Sequence, residues 1–173
     1  DGIIDNLDRQ FVGSYLPKFY GGLSYGLVWK KFDFNIDFFG NFGNKVYNAK
    51  KGLRFGSNYN VEYAVAEKRW TPENKSNTNP RASNVTPYPI DYFIESGMFI
   101  RINNITFGYN MENIKFLGNI DKIRMYISAQ NPFIYTPYTG FTPELPGNQN
   151  EAGIELNIYP VSSTFLFGLN AQF

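Results

Sequence analysis

Neither cysteine nor histidine occurs among the 173 residues. The first absence excludes a disulfide scaffold and thiolate metal sites. The second removes the commonest general base and the commonest metal ligand. Most familiar hydrolase and oxidoreductase sites are thereby closed, and no catalytic residue, metal or cofactor is expected. An excess of one charge is missing too: 16 basic and 15 acidic residues leave a net +1. That balance gives no electrostatic case for nucleic acid as a partner. Long hydrophobic runs are also lacking, the longest being a few residues against the roughly 20 a membrane helix needs. Helical periodicity is nearly absent.

What the chain has in quantity is aromatic side chains, 18% of all residues, although its mean hydropathy is −0.34. A membrane strand needs only about 10 residues with every second one apolar, a pattern that hydropathy averaging hides. The composition therefore excludes helical spans and leaves a membrane barrel open.

Five segments alternate with period two. The first, about Gly22 to Lys30, sets Leu23, Tyr25, Leu27 and Trp29 on one face. The second, about Phe32 to Phe42, opposes Phe32, Phe34, Ile36, Phe38 and Phe42 to Asp33, Asn35, Asp37 and Asn41. The third, Met98 to Asn110, is clearest in Ile105, Phe107 and Tyr109; its start is ambiguous, because Ile100 and Ile102 sit on the other parity. The fourth, about Ile123 to Gln130, sets Ile123, Met125, Ile127 and Ala129 against Arg124, Tyr126, Ser128 and Gln130. The fifth is the terminal run, with Phe165, Phe167, Leu169, Ala171 and Phe173 on one parity.

The connections run short, long, short, long: Lys30-Lys31, then Gly43 to Gly97, then Met111 to Asn119, then Asn131 to Ile158. Tight turns on one side and large loops on the other are the habit of an up-and-down membrane barrel. If the last strand descends toward the periplasm, Trp29, Phe32, Tyr109 and Phe173 all fall at the periplasmic ends on the apolar parity. That is half of an aromatic girdle. The competing architecture is a soluble β-sandwich, whose core face would favour Val, Ile and Leu packed to interior density. Five strands cannot close a barrel, and an open sheet in lipid leaves two rows of unpaired backbone groups. The chain, which opens on Asp1-Gly2-Ile3-Ile4 without an initiator Met or signal peptide, is therefore expected to be a piece of something longer that does not fold alone.

Several spaced stretches carry a family resemblance. DRQFVGSYLPKFYGGLSYGLVWKKFDFNIDFFGNFGNKVYN, FIRINNITFGYNM, IRMYISAQNPFIYTPYTGFTPE and YPVSSTFLFGLNAQF resemble, in order, the C-terminal end of SusC/RagA-type TonB-dependent outer-membrane transporters of Bacteroidetes. The resemblance thins from Leu53 to Tyr92, where a variable extracellular loop is expected. It implies an all-β fold in which residues 1–173 are the C-terminal five antiparallel strands of a transmembrane barrel of about 22 strands with a plugged lumen. It also implies import of large nutrients, oligosaccharides or oligopeptides, with a SusD-like surface lipoprotein and the TonB complex as partners. Outer-membrane lipid and the barrel-assembly machinery complete the partner set. Phe167, Gly168, Leu169, Ala171 and Phe173 resemble the assembly signal that such barrels carry in their last strand. A passive porin and a secreted, aromatic-rich sandwich that binds polysaccharide are the alternative functions.

Asp33 and Asp37 share a face and invite a glycosidase reading, but four residues along a strand is about 13 Å, beyond the roughly 5 to 9.5 Å of paired catalytic carboxylates. They read as members of a polar, lumen-facing row with Arg124, Tyr126, Ser128, Gln130, Asn170 and Gln172. In the two long loops Arg69, Trp70, Tyr135 and Tyr138 are the candidate substrate contacts, the rings suiting sugar faces and Arg69 a carboxylate. Loop aromatics also serve to pin such long segments in place.

Overall fold

The computed structural model describes residues 6–54, 60–82, 90–112, 120–145, 152–156 and 158–173. Eight strands are found among them: β1 (Phe19–Trp29), β2 (Phe32–Phe42), β3 (Lys45–Asn48), β4 (Ile94–Ser96), β5 (Phe99–Glu112), β6 (Lys122–Tyr135), β7 (Ile154–Glu155) and β8 (Thr164–Gln172). Two helices, α1 (Ala49–Leu53) and α2 (Tyr63–Glu67), lie between β3 and β4. Among the described residues no helix is long and apolar enough to cross a membrane.

The long strands β1, β2, β5, β6 and β8 form one antiparallel sheet in that order. They coincide with the five alternating segments, and β2 has the expected bounds. Directly opposed residues share a face of a sheet, so the register can be read across all five strands. Leu27 opposes Phe34, Phe34 opposes Phe107, Phe107 opposes Ile127, and Ile127 opposes Phe167. One step along, Gly26, Asn35, Thr106, Ser128 and Leu166 make the neighbouring row on the other face. The sheet thus has one apolar face and one largely polar face along its length.

A sandwich would cover the apolar face with a second layer. Ile127 is instead 57% exposed and Phe167 73%, with Leu23, Tyr25, Trp29 and Phe165 similarly bare. A bare apolar surface of this extent marks a membrane or protein contact, and its union with a bonded polar face is the habit of a barrel wall in lipid. At the hairpin Lys30-Lys31 the chain reverses within two residues, and Lys30 takes a φ of 55°, the left-handed conformation that tight hairpins demand. Beside this turn Trp29 stacks on Phe32 at 6.4 Å, and Phe32 meets Tyr109 at 5.0 Å. Phe173 follows β8 at the same end, beyond the pair Lys122–Gln172. The link between β5 and β6, residues 113–119, lies outside the described residues.

Two departures from strict alternation explain what pattern alone left open. Asn104 opposes Asp37, yet Ile102 opposes Phe38, so Asn103 is an extra residue on β5. This bulge moves Ile102 onto the apolar face with Ile105 despite their different parity. On the facing strand, Gln130 pairs with Asn104 and Phe133 with Ile102, with Asn131-Pro132 between them and Asn131 at a φ of 48°. Strand β6 therefore continues through Asn131-Pro132 to Tyr135, where the sequence reads as the start of a loop.

The long loops gather beyond the end of the sheet opposite the tight turn, and there they build a second unit, the cap. Strand β3 pairs antiparallel with β4 and parallel with β7, which joins the first long loop to the second. Among the described residues the deepest burial lies here, with Phe93 at 0%, Val46 at 1% and Tyr138 at 5%. Phe93 takes Tyr47 and Tyr92 edge-on at 6.1 and 5.3 Å. Asn48 caps α1 by accepting from the Lys51 amide at 2.9 Å.

Candidate functional site

Two places on this frame gather polar chemistry: the polar face of the sheet and the cap above it. On the polar face near the turn end, Asp33 accepts from Arg124 through Nε at 3.1 Å and Nη2 at 2.5 Å, and from Asn110 Nδ2 at 2.7 Å. The ion pair reaches over Gly108, which lies opposite Asp33; a Cβ on Gly108 would stand 2.3 Å from Asp33 Oδ2. Gly168, on β8, likewise leaves room for the Tyr126 ring, whose Cζ would lie 2.2 Å from its Cβ. Mid-sheet, Thr106 and Ser128 hydroxyls meet at 2.8 Å, and Ser128 donates to Asn104 at 2.9 Å. Cross-strand bonding of this kind keeps a polar wall satisfied. Asp33, held in this way by Arg124, is not paired with Asp37.

In the cap, two carboxylates tie the loops together. Glu95 accepts from the Thr139 amide at 2.9 Å and its hydroxyl at 2.8 Å, and meets Lys51 Nζ at 3.4 Å. Glu155, wholly buried, accepts from the Tyr138 hydroxyl at 3.2 Å and the Ile158 amide at 3.1 Å. Burial, reinforced by the neighbouring Glu155 carboxylate, pushes the Tyr138 hydroxyl well above the usual tyrosine range. At the junction of cap and sheet, Arg101 Nη1 meets Glu144 Oε2 at 2.5 Å. Burial raises the Glu144 carboxyl above its ordinary range, with the Arg101 charge opposing the shift.

The four candidate contacts are not brought to one point. Trp70 is exposed, and its backbone amide bonds Asn79 O at 3.0 Å. Arg69 beside it is half-buried, its guanidinium donating to Arg54 O at 3.4 Å. Tyr138 is buried against Glu155. Tyr135 stands opposite Ile100 at the cap end of the apolar face, in line with Phe133 and Ile102. The residues of the expected assembly signal all lie on or just past β8: Phe167, Leu169 and Ala171 face the apolar side, and Gly168 seats Tyr126 on the other. Pattern reading missed Asn41, Asn44, Arg101 and Glu144, which line a cavity below the cap. The available signal was Arg101, a cation interrupting an apolar parity.

A bare apolar face, a bonded polar face, a tight turn at one end and a loop-built cap at the other define a stretch of wall from a transmembrane β-barrel. No family model matches the chain. Over its whole length it is 31% identical to TonB-dependent receptor P3 of Formosa agariphila, covering 18% of that protein. It is 32% identical, again over its whole length, to TonB-dependent receptor SusC of Bacteroides thetaiotaomicron, covering 17% of it. Among solved structures, the RagAB peptide transporter superposes with a TM-score of 0.76 at 27% identity, over 92% of this chain and 18% of that one. In sequence and in fold the chain matches SusC-type TonB-dependent receptors and the RagAB transporter, over a stretch spanning less than a fifth of the length of these relatives.

Proposed function

We propose that this chain is the C-terminal stretch of wall in an outer-membrane barrel that imports large nutrients, oligosaccharide or oligopeptide. The barrel is driven by TonB and works with a SusD-like surface lipoprotein over its cap. The observation that carries the reading is the unbroken apolar row Leu27, Phe34, Phe107, Ile127, Phe167, set back to back with the polar row bonded through Thr106 and Ser128. Lipid on one side and a hydrated or plugged lumen on the other account for both rows. The similarity to SusC and to the RagAB peptide transporter supports the same assignment.

In this reading the cap faces the cell exterior. Exposed Trp70, backed by Arg69, is offered to cargo or lid; Tyr138 holds the second loop in shape, and Tyr135 stands where an interfacial girdle belongs. The β8 residues Phe167, Gly168, Leu169, Ala171 and Phe173 present the assembly signal. Cells carrying the full-length receptor test the proposal. Uptake of a nutrient that supports growth through the receptor should vanish when TonB is deleted, and the protein should resist salt extraction but yield to detergent. Release by salt alone, or uptake indifferent to TonB, contradicts it.

A further inference from the structure

At its turn end the apolar face carries a hollow of about 280 Å³, lined by Leu27, Trp29, Phe32, Phe34 and Phe107. It lies between two cross-strand rows, Trp29 with Phe32 nearer the turn and Leu27, Phe34 and Phe107 one step up. Asp33 also borders it, but Arg124 and Asn110 hold that carboxylate on the polar face. The hollow therefore presents no charge of its own.

A cation stands at its edge. Lys30 Nζ is 5.0 Å from the centroid of the Trp29 ring, a cation–π contact that fixes the ammonium beside the hollow. Lys31 follows in the chain, and the turn bearing both is pinned to β5, where the Asn110 amide donates to Lys31 O at 2.7 Å. Lys122 and Arg124, at the same end but on the polar parity, are matched by Glu112 at 3.5 Å and by Asp33. Neither Lys30 nor Lys31 makes an ion pair among the described residues.

A larger hollow of about 520 Å³ at mid-face, among Ile105, Ile127, Phe165 and Phe167, has no charged residue in its lining. It suits hydrocarbon and gives no reason to prefer one headgroup over another. The hollow at the turn is polarised, with cations at one end and an apolar floor leading away from them. Free phosphate would use the lysines and leave the floor bare, and plain hydrocarbon would do the reverse. An amphiphile with an anionic head and an acyl tail uses both.

We propose that the Lys30-Lys31 turn and the hollow beside Trp29 form a binding site for one anionic phospholipid. Its phosphate lies against the two ammonium groups, and an acyl chain runs along Leu27, Phe34 and Phe107. The assignment rests on the barrel-wall reading above and names the lipid class held at this end. Its test is native mass spectrometry of the full-length receptor in detergent, titrated with dioleoyl phosphatidylglycerol or, for comparison, dioleoyl phosphatidylcholine. The difference between wild type and variant reads this site against other lipid contacts on the barrel. Lys30 and Lys31 are both exposed, so Lys30→Gln with Lys31→Gln removes charge without touching packing. Each change should weaken phosphatidylglycerol binding about fivefold, and the pair about twentyfold. Leu27→Trp, which fills the hollow and leaves the lysines in place, should weaken it severalfold. Phosphatidylcholine binding should be the same in wild type and in the lysine variant. Wild-type receptor that takes up the two lipids equally overturns the proposal. So does phosphatidylglycerol binding that survives the double lysine change or is undiminished by Leu27→Trp. Failure of the barrel-wall reading shows separately, as release of the receptor from membranes by salt without detergent.

Discussion

The sheet and the cap are made from one chain but answer to different solvents. In the cap, Phe93, Val46 and Glu155 are buried as in a water-soluble domain, and ring contacts and carboxylate bonds pin the loops to one another. In the sheet, rings as large as Trp29 and Phe165 stand exposed, and the side chains that are bonded to one another sit on the opposite face. The hydrophobic effect builds the first region by removing surface from water. It stabilises the second only once hydrocarbon replaces water at the apolar face, and backbone pairing does the rest. A substitution should therefore cost whatever its own region's solvent dictates.

The largest expected effect is in the cap. Phe93→Ala removes a fully buried ring, and a loss of about 3–5 kcal/mol should open the cap to protease added outside cells. The barrel itself should keep its heat-shifted mobility on gels; loss of both together would mean that the two regions are one cooperative unit. Next comes Ile127→Arg, near mid-strand on the apolar face, at about 2–4 kcal/mol. Ser128→Arg, its neighbour on the polar face, should cost far less, and equal penalties in reconstituted membranes would erase the distinction between faces. Gly168→Ala should destabilise by about 1–3 kcal/mol through its clash with Tyr126. Adding Tyr126→Ala should recover most of that loss in a double-mutant cycle.

The smallest effect is a pH dependence. Burial raises the Glu144 carboxyl, so its contribution to stability is full below the ordinary value near 4.5 and is lost as pH rises through the raised one. Protease resistance of the cap should thus decline modestly from about pH 4 to 7, and Glu144→Gln should flatten the profile. A rise in resistance over that interval would show that the Arg101 ion pair, and not burial, governs the group.

The five sheet strands were legible because lipid requires an apolar residue at every second position, a local rule that Phe32, Phe34, Ile36 and Phe38 obey in sight. Ile100 and Ile102 were ambiguous for a physical reason: the Asn103 bulge shifts the rule by one. The end of β6 was hidden because Asn131-Pro132 carries loop chemistry inside a strand. The small cap sheet could not be read at all. Its pairing of Tyr47 with Ile154 joins segments more than a hundred residues apart, and each of its strands is too short for a period to show. The cavity was missed for the same reason as the bulge, since Arg101 reaches it only through that irregularity. Trp70 and Tyr138 were chosen alike on composition, yet one is exposed and the other buried, a difference fixed by long-range packing.

Spin labels at positions 127 and 128 test most directly which surface the membrane touches. The labels are introduced as single cysteines into the full-length receptor, with any other cysteines removed, and read in lipid bilayers. Collision with oxygen should dominate at 127 and collision with a water-soluble nickel chelate at 128. Equal accessibility at the two positions, or the reverse order, would mean that the bare face of the sheet meets something other than hydrocarbon.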